Sequence, residues 1–155
     1  LWLPERRPGG ALPLMKLRPA AHLFGGKMVC NGYDRPYIQS NCWVPSPEDT
    51  QPELTLQWDR KKRISRVELV VDTDYDHAME TVLMGHPESE MPYCVRHFQL
   101  IDDSGQVVVD EPENYHTQWN HAFSDPLDTR MLTLRVLAVW GDSPGAVYAF
   151  RCYGE

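Results

Sequence analysis

Apolar and polar residues alternate along several stretches of this chain, most clearly in residues 53–73. In each half of that stretch the apolar residues at every second position share one face of an extended chain; they are Leu54, Leu56 and Trp58, then Val67, Leu69 and Val71. This two-residue period is typical of half-buried strands, and a helix would bury a different set. The charged residues 59–63 between the halves need water, so we expect a turn there between two neighbouring antiparallel strands.

The same alternation recurs later in the chain. It predicts four further strands, in residues 95–101, 106–109, 131–140 and 147–153. The first two are joined by a polar turn and form a hairpin, while Asp125 and Pro126 are expected to interrupt the chain before the third. Residues 20–30 could supply one more strand. Residues 74–93 show no clean alternation and are predicted to form a long connection.

Many short strands separated by turn residues favour an all-β fold, an antiparallel β-sandwich or jelly roll. Residues 1–19 contain four Pro and a Gly pair without a sustained period, which predicts a linker or an arm. Residues 20–155 then form one domain. Besides the alternating residues of the first stretch, we expect its core to contain Phe98, Leu100, Leu132, Leu134 and Val136.

The net charge of the chain argues against nucleic acid as a partner. The formal net charge is -7, from 15 Lys and Arg against 22 Asp and Glu, and a field of that sign repels nucleic acid. The basic residues 60–63 are interpreted as a solvated turn rather than an anion site. No apolar stretch approaches the roughly 20 residues of a membrane span. The chain starts at Leu1 and not at Met, so we expect a fragment or processed product of a longer protein.

The cysteines give no sign of a metal cluster. Cys30, Cys42, Cys94 and Cys152 form no CxxC pair and have no zinc-ligand spacing with the histidines. Cys152 lies in an apolar run and is expected to be a buried free thiol, whereas Cys30 and Cys42 flank a loop and could be bridged only in an oxidising compartment.

Several segments, taken in order, resemble the discoidin, or coagulation-factor type C, modules of the galactose-binding-like superfamily. The similar segments are the Asn-Gly loop 31–34, Trp43, and residues 53–74, 98–110, 130–141 and 150–154. The resemblance covers about residues 20–154. It implies a jelly-roll sandwich with ligand loops at one end and sugars as the commonest partners. Residues 67–77 and 113–123 are also similar to the C-terminal module of certain bacterial FAD-dependent oxidoreductase-like proteins.

The resemblance also implies a calcium ion, which many such modules hold with the early Asn-Gly loop and a late Glu. Here Asn31 and Asp34 could serve as ligands, but Ala149 stands at the late position. A hard cation wants six to eight oxygens, so the loss of one carboxylate predicts a weak calcium site at most and no other cofactor.

Tyr115, His116, Trp119 and His121 are the best candidate ligand residues. Aromatic rings stack on sugar faces, and imidazoles form hydrogen bonds with hydroxyl groups. The alternative is that the odd-numbered residues of this set are core residues on one face of a strand. The acids and histidines of residues 74–93 are better interpreted as a solvated loop than as a metal or acid-base site.

Residues and resemblance together predict a non-catalytic binding module of a larger protein, with carbohydrate as its partner. No nucleophile with a base, zinc motif or phosphate-binding loop supports an enzyme. The alternative function is a structural C-terminal domain that packs on the catalytic part of an FAD-dependent oxidoreductase-like protein. Localisation is not fixed by these residues, although an extracytoplasmic one is favoured.

Overall fold

The computed structural model describes residues 23–73, 91, 94–142 and 144–155. Its five strands hydrogen-bond into one antiparallel sheet in the order β3-β2-β4-β1-β5. The predicted all-β antiparallel fold is confirmed. The elements are a 3-10 helix at Gly26–Cys30 and the strands β1 (Glu53–Val71), β2 (Val95–Asp102), β3 (Val107–Glu111), β4 (Gln118–Val139) and β5 (Val147–Gly154).

The sheet bends over on itself to make the two layers of a sandwich. Phe98 of β2 lies opposite Val136 of β4, yet its ring centroid is only 5.0 Å from that of Trp119, which lies 17 residues earlier in β4. A straight strand would separate Trp119 and Val136 by about 55 Å. Strands β1 and β4 must therefore pass from one layer to the other, with the core between the layers.

Two compensating bulges mark the bend. Between Gln57 and Lys62, β1 advances five residues while β4 advances two, and between Ile64 and Arg66 the imbalance is reversed. The predicted turn at residues 59–63 is therefore wrong, because β1 runs through them as one strand. Of these charged residues, Lys62 is half-buried and the other four are exposed. The strand therefore leaves them solvated, and no turn is needed to bring them into water.

The predicted interruption at Asp125 and Pro126 is also wrong. Both residues lie within β4, in the part where β4 carries the extra residues of the second bulge. Proline lacks the N–H that a regular ladder needs, and a bulge is a position where that loss is tolerated. Part of the possible first strand, residues 20–30, is instead the 3-10 helix, whereas the hairpin of β2 and β3 is confirmed.

The buried residues are largely those that the apolar alternation predicts for the core. Nine of the predicted residues are buried, and only Leu56 and Trp58 are half-buried at its margin. The 3-10 helix adds Val29, which is 1% exposed, and Trp43 adds its ring through a bridge to Val147. These are the nine: Leu54, Val67, Leu69, Val71, Phe98, Leu100, Leu132, Leu134 and Val136.

The predicted arm, residues 1–19, and nearly all of the predicted connection, residues 74–93, lie outside the described residues. In the part that is described, no helix has the length and apolar character to cross a membrane.

Candidate functional site

A buried asparagine shapes the segment between β3 and β4. Asn114 is 2% exposed, and its amide Nδ2 donates to the carbonyl of Val95 at 2.9 Å while its Oδ1 accepts the N–H of His116 at 3.1 Å. Its backbone N–H donates to the carbonyl of Arg96 at 2.9 Å. Because these bonds satisfy a polar side chain that burial would otherwise penalise, they fix residues 114–116 against the start of β2.

Tyr115 and His116 are displayed by that fixed segment. Tyr115 is 63% exposed, and its ring centroid lies 4.2 Å from that of His116, which is also exposed. Both rings lie outside the core, but the buried amide of Asn114 fixes the backbone that carries them. The pair offers an aromatic face and ring nitrogens to a ligand.

A half-buried arginine lies beside this segment. Arg96 is the extra residue of a β-bulge, since β2 advances two residues from Val95 to His97 while β4 advances one. Its guanidinium carbon is 5.2 Å from the ring centroid of Trp140, which is a cation-π distance. The Nε of Arg96 is buried and has no hydrogen-bond partner among the described residues. A buried donor without an acceptor is rare, and a bulge that redirects a side chain is common next to binding sites.

The indole of Trp140 lies between Arg96 and the segment that carries Tyr115 and His116. Its Nε1 donates to the carbonyl of Asn114 at 2.9 Å, so Trp140 contacts both the fixed segment and Arg96. We call Arg96, Tyr115, His116 and Trp140 the loop-end site. Its chemistry combines two aromatic rings with an unpaired cation and an imidazole, a set suited to polar, ring-shaped ligands.

The sequence did not reveal Arg96. No residue type in the segment 94–98 signals a bulge. The bulge arises because β2 uses two residues where its partner β4, which is distant in sequence, uses one, and this mismatch sets the orientation of Arg96. Trp140 carried a weak signal, since it ends a strand just before a glycine, but that position alone does not distinguish a core ring from a surface ring.

Trp119 and His121 occupy a different place from Tyr115 and His116. Trp119 is only 8% exposed; its ring packs edge-on against Phe98, and its Nε1 donates to Glu111 at 3.1 Å. His121 is half-buried and stacks on Trp119 with centroids 5.7 Å apart. The structure thus joins the four candidates as two pairs. One is displayed before β4 begins, and the other lies along the inner face of β4.

The early Asn-Gly loop is held by protein groups. The Oδ1 of Asn31 accepts the N–H of Tyr33 at 3.0 Å, and its Nδ2 donates to Asn41 at 2.8 Å. The carboxylate of Asp34 pairs with the guanidinium of Arg151.

Arg151 also donates to Glu68 at 2.6 Å. Burial alone would raise the pKa of Glu68, but hydrogen bonds from Arg151, Gln118 and Arg66 outweigh it and hold that pKa below its usual value. The network therefore places a cation between two carboxylates.

These residues fit a calcium ion poorly. A cation at Asp34 would have to compete with Arg151, and Asn31 already uses its oxygen within the loop. At the late position, Ala149 is fully buried and offers no side-chain oxygen. Among the described residues, no three His, Cys, Asp or Glu side chains are grouped so that they could hold a metal ion.

All four cysteines are free thiols. Burial, with a smaller contribution from the charge of Asp72, raises the pKa of Cys42 and of Cys94 to about 11. Burial, together with nearby Cys30, raises the pKa of Cys152 to about 12. A thiol with such a pKa is protonated at neutral pH and is a poor nucleophile, so these three residues are structural.

Solved structures share this fold across most of the chain. A family 32 carbohydrate-binding module from Streptococcus pneumoniae EndoD superimposes with a TM-score of 0.64 at 10% identity, over 88% of this chain and 89% of that one. The family 32 module from C. perfringens NanJ, in complex with galactose, gives 0.62 at 9% identity, over 85% and 86%. The lectin domain of Lectinolysin, complexed with Lewis B antigen, gives 0.59 at 11% identity, over 87% of each chain.

At these identities the likeness establishes a shared antiparallel β-sandwich fold. No protein-family model matches the sequence, and no curated protein matches it either. The similarity to the C-terminal module of FAD-dependent oxidoreductase-like proteins gains no support from these comparisons.

Proposed function

We propose that this chain is a non-catalytic carbohydrate-binding module and that the loop-end site contacts the sugar. The observation that carries the proposal is the buried, unpartnered Nε of Arg96, placed against Trp140 and beside an exposed Tyr-His pair. Because the Nε itself is buried, a ligand oxygen would meet the guanidinium at its terminal nitrogens, where a hydrogen bond to a charged donor stabilises the complex.

Each member of the site has a role in this proposal. Tyr115, whose side chain is 63% exposed, stacks on the apolar face of a sugar. Arg96 and His116 form hydrogen bonds with ring hydroxyls, which fixes the orientation of the sugar. Trp140 and buried Asn114 hold those groups in place before the ligand arrives, which lowers the entropic cost of binding.

Trp119 and His121 have a supporting role in the proposal. Trp119 packs on Phe98, two residues along β2 from Arg96, and so helps to position the bulge that carries the arginine. His121 stacks on Trp119 and retains partial exposure, so it could meet a longer ligand along the edge of the sandwich.

The solved structures support the choice of ligand class. Two of the three described above were determined with galactose or Lewis B antigen bound, and a further match, at a TM-score of 0.61, is a chitosan-binding module from a Paenibacillus chitosanase/glucanase. The resemblance to discoidin modules points to the same class. An extracytoplasmic location belongs to the proposal, and fractionation of cells that make the tagged full-length protein tests it.

A glycan array, followed by calorimetry on any glycan that binds, tests the proposal. We expect Tyr115→Ala and Arg96→Gln each to weaken binding by at least tenfold, because stacking and a charge-assisted hydrogen bond are each worth ~1 to 3 kcal/mol. Tyr37→Ala is the matched control for the first change, since Tyr37 is a 73% exposed tyrosine of the early loop and is not a member of the loop-end site.

Two results would count against the proposal. Equal losses in Tyr115→Ala and Tyr37→Ala would show that the site is elsewhere. An array with no binding at all would contradict the carbohydrate function and favour the alternative, a domain whose loops pack on another part of the parent protein.

A further inference from the structure

Two adjoining cavities lie at the bend of the sandwich, where β1 and β4 pass between layers. The first, about 150 Å³, is lined by Trp58, Lys62, Arg63 and the end of β5. The second, about 220 Å³, shares Arg63 with the first and extends to Pro126 in the bulge of β4. We call the two cavities together the bend site.

The bend site is remote from the loop-end site. Val71 donates its N–H to the carbonyl of Thr117 at 2.8 Å and pairs with Val147, so the start of β5 lies beside the displayed segment. The bend site lies at Gly154, seven residues further along β5, or roughly 23 Å away. A ligand at one end therefore does not touch the other.

The cations of the bend site have no carboxylate partner. Within the described part of the chain, Arg66, Arg135 and Arg151 each form an ion pair with an acid, but no ion pair or side-chain hydrogen bond reaches Lys62 or Arg63. Unpaired cations around a concave surface attract anions more strongly than the same cations on a flat one, because a low-dielectric wall concentrates the field.

Aromatic surface completes the cavity wall. Trp58, which is half-buried at the core margin, lines the cavity. Tyr153 lines it too, and the guanidinium carbon of Arg66 lies 3.7 Å from the centroid of its ring. An aromatic wall next to two free cations suits a ligand that is itself a ring carrying a negative group. Glu155, which also lines the cavity, offers an acceptor for a hydroxyl.

We infer that the bend site is a second binding site, specific for an acidic sugar. The carboxylate of a uronic acid, or a sulfate on a sugar ring, pairs with Lys62 and Arg63 while the ring packs on Trp58. A formal net charge of -7 repels anionic polymers from most of the surface, so an acidic glycan would be held by this basic patch alone.

The test uses the full chain and three probes: a galacturonic acid trisaccharide, a neutral galactose trisaccharide and sodium sulfate. We expect the acidic trisaccharide to bind, and the double variant Lys62→Gln/Arg63→Gln to lose at least tenfold in affinity. Binding should also weaken as salt rises, because the contact is ionic. Tyr115→Ala should leave this affinity unchanged, which separates the outcome from that of the proposed function.

Arg60→Gln/Lys61→Gln is the matched control. It removes the same two charges from the same run, but neither residue lines the cavities. An equal loss in both double variants would overturn the inference and show a diffuse charge effect. Absence of binding, an equal loss of affinity for the neutral trisaccharide in Lys62→Gln/Arg63→Gln, or sulfate binding as tight as that of the acidic trisaccharide would each overturn it too.

Discussion

At the scale of single residues, buried polar side chains fix the turns and loops of this fold. Asn114 does so before β4, and Asp102 does so in the hairpin of β2 and β3. One oxygen of Asp102 accepts the N–H groups of Ser104 and Gln106, both at 2.9 Å. The polar residues between the two strands predict this turn, but nothing in the sequence indicates that Asn114 is buried, because a polar residue in a loop normally points to water.

The substitution Asp102→Asn should destabilise the protein in a pH-dependent way. Burial alone would raise the pKa of Asp102, but hydrogen bonds from Ser104, Gln106 and Gly105 outweigh it, so the folded-state pKa lies below the usual value. A group whose pKa is lowered on folding stabilises the fold above its unfolded pKa and loses that contribution as the pH falls through the folded pKa.

Urea denaturation at pH 7 and at pH 3 checks this expectation. The variant should lose ~1 to 3 kcal/mol at pH 7 and clearly less at pH 3, which lies below the usual pKa of an Asp carboxyl, because the unfolded wild-type chain takes up a proton there and the stabilising contribution falls. The same penalty at both pH values would show that the charge of Asp102 contributes nothing.

At the scale of elements, the sequence predicts the faces of the strands better than their ends. Alternation identifies which side of residues 53–73 is buried, because burial follows the pleat. It cannot show that residues 59–63 and Pro126 lie within strands, since the compensating bulges arise from pairing between β1 and β4 and are not encoded locally. The position of Arg96 was missed for the same reason.

Gly154→Ala tests the close approach of β5 to β1 beyond the bend. A Cβ at this position would lie 1.9 Å from the carbonyl oxygen of Arg63, and that oxygen belongs to the backbone of a paired strand. The strands must separate, so we expect a loss of ~1 to 3 kcal/mol in the free energy of unfolding. Gly25→Ala is the control, because its Cβ would meet nothing within 4 Å. A thermal melt of Gly154→Ala that matches the control would refute the close packing.

At the scale of the whole molecule, an internal ion network joins the early loop to the sheet, as a bound cation could do. Arg151 lies between Asp34 of the early loop and Glu68 of β1, and so joins that loop to the sheet with a permanent positive charge. These contacts hold the loop in place between described residues of the protein itself.

The melting temperature should therefore be nearly the same in excess chelator and in millimolar calcium. A ligand stabilises a fold only as far as its concentration exceeds its dissociation constant, and a site that must displace Arg151 binds weakly. Differential scanning fluorimetry measures the difference. A large upward shift with calcium would contradict this expectation and indicate carboxylates from residues outside the described ranges.

Carbohydrate binding at the loop-end site can be followed residue by residue in a titration recorded by two-dimensional 1H-15N NMR. With a glycan selected on the array, we predict that the largest shifts cluster at the backbone of residues 114–117 and the side-chain signals of Arg96 and Trp140. The early loop around Tyr37 should stay unchanged. Shifts confined to other surfaces, or none at saturating glycan, would show that the loop-end site does not bind carbohydrate.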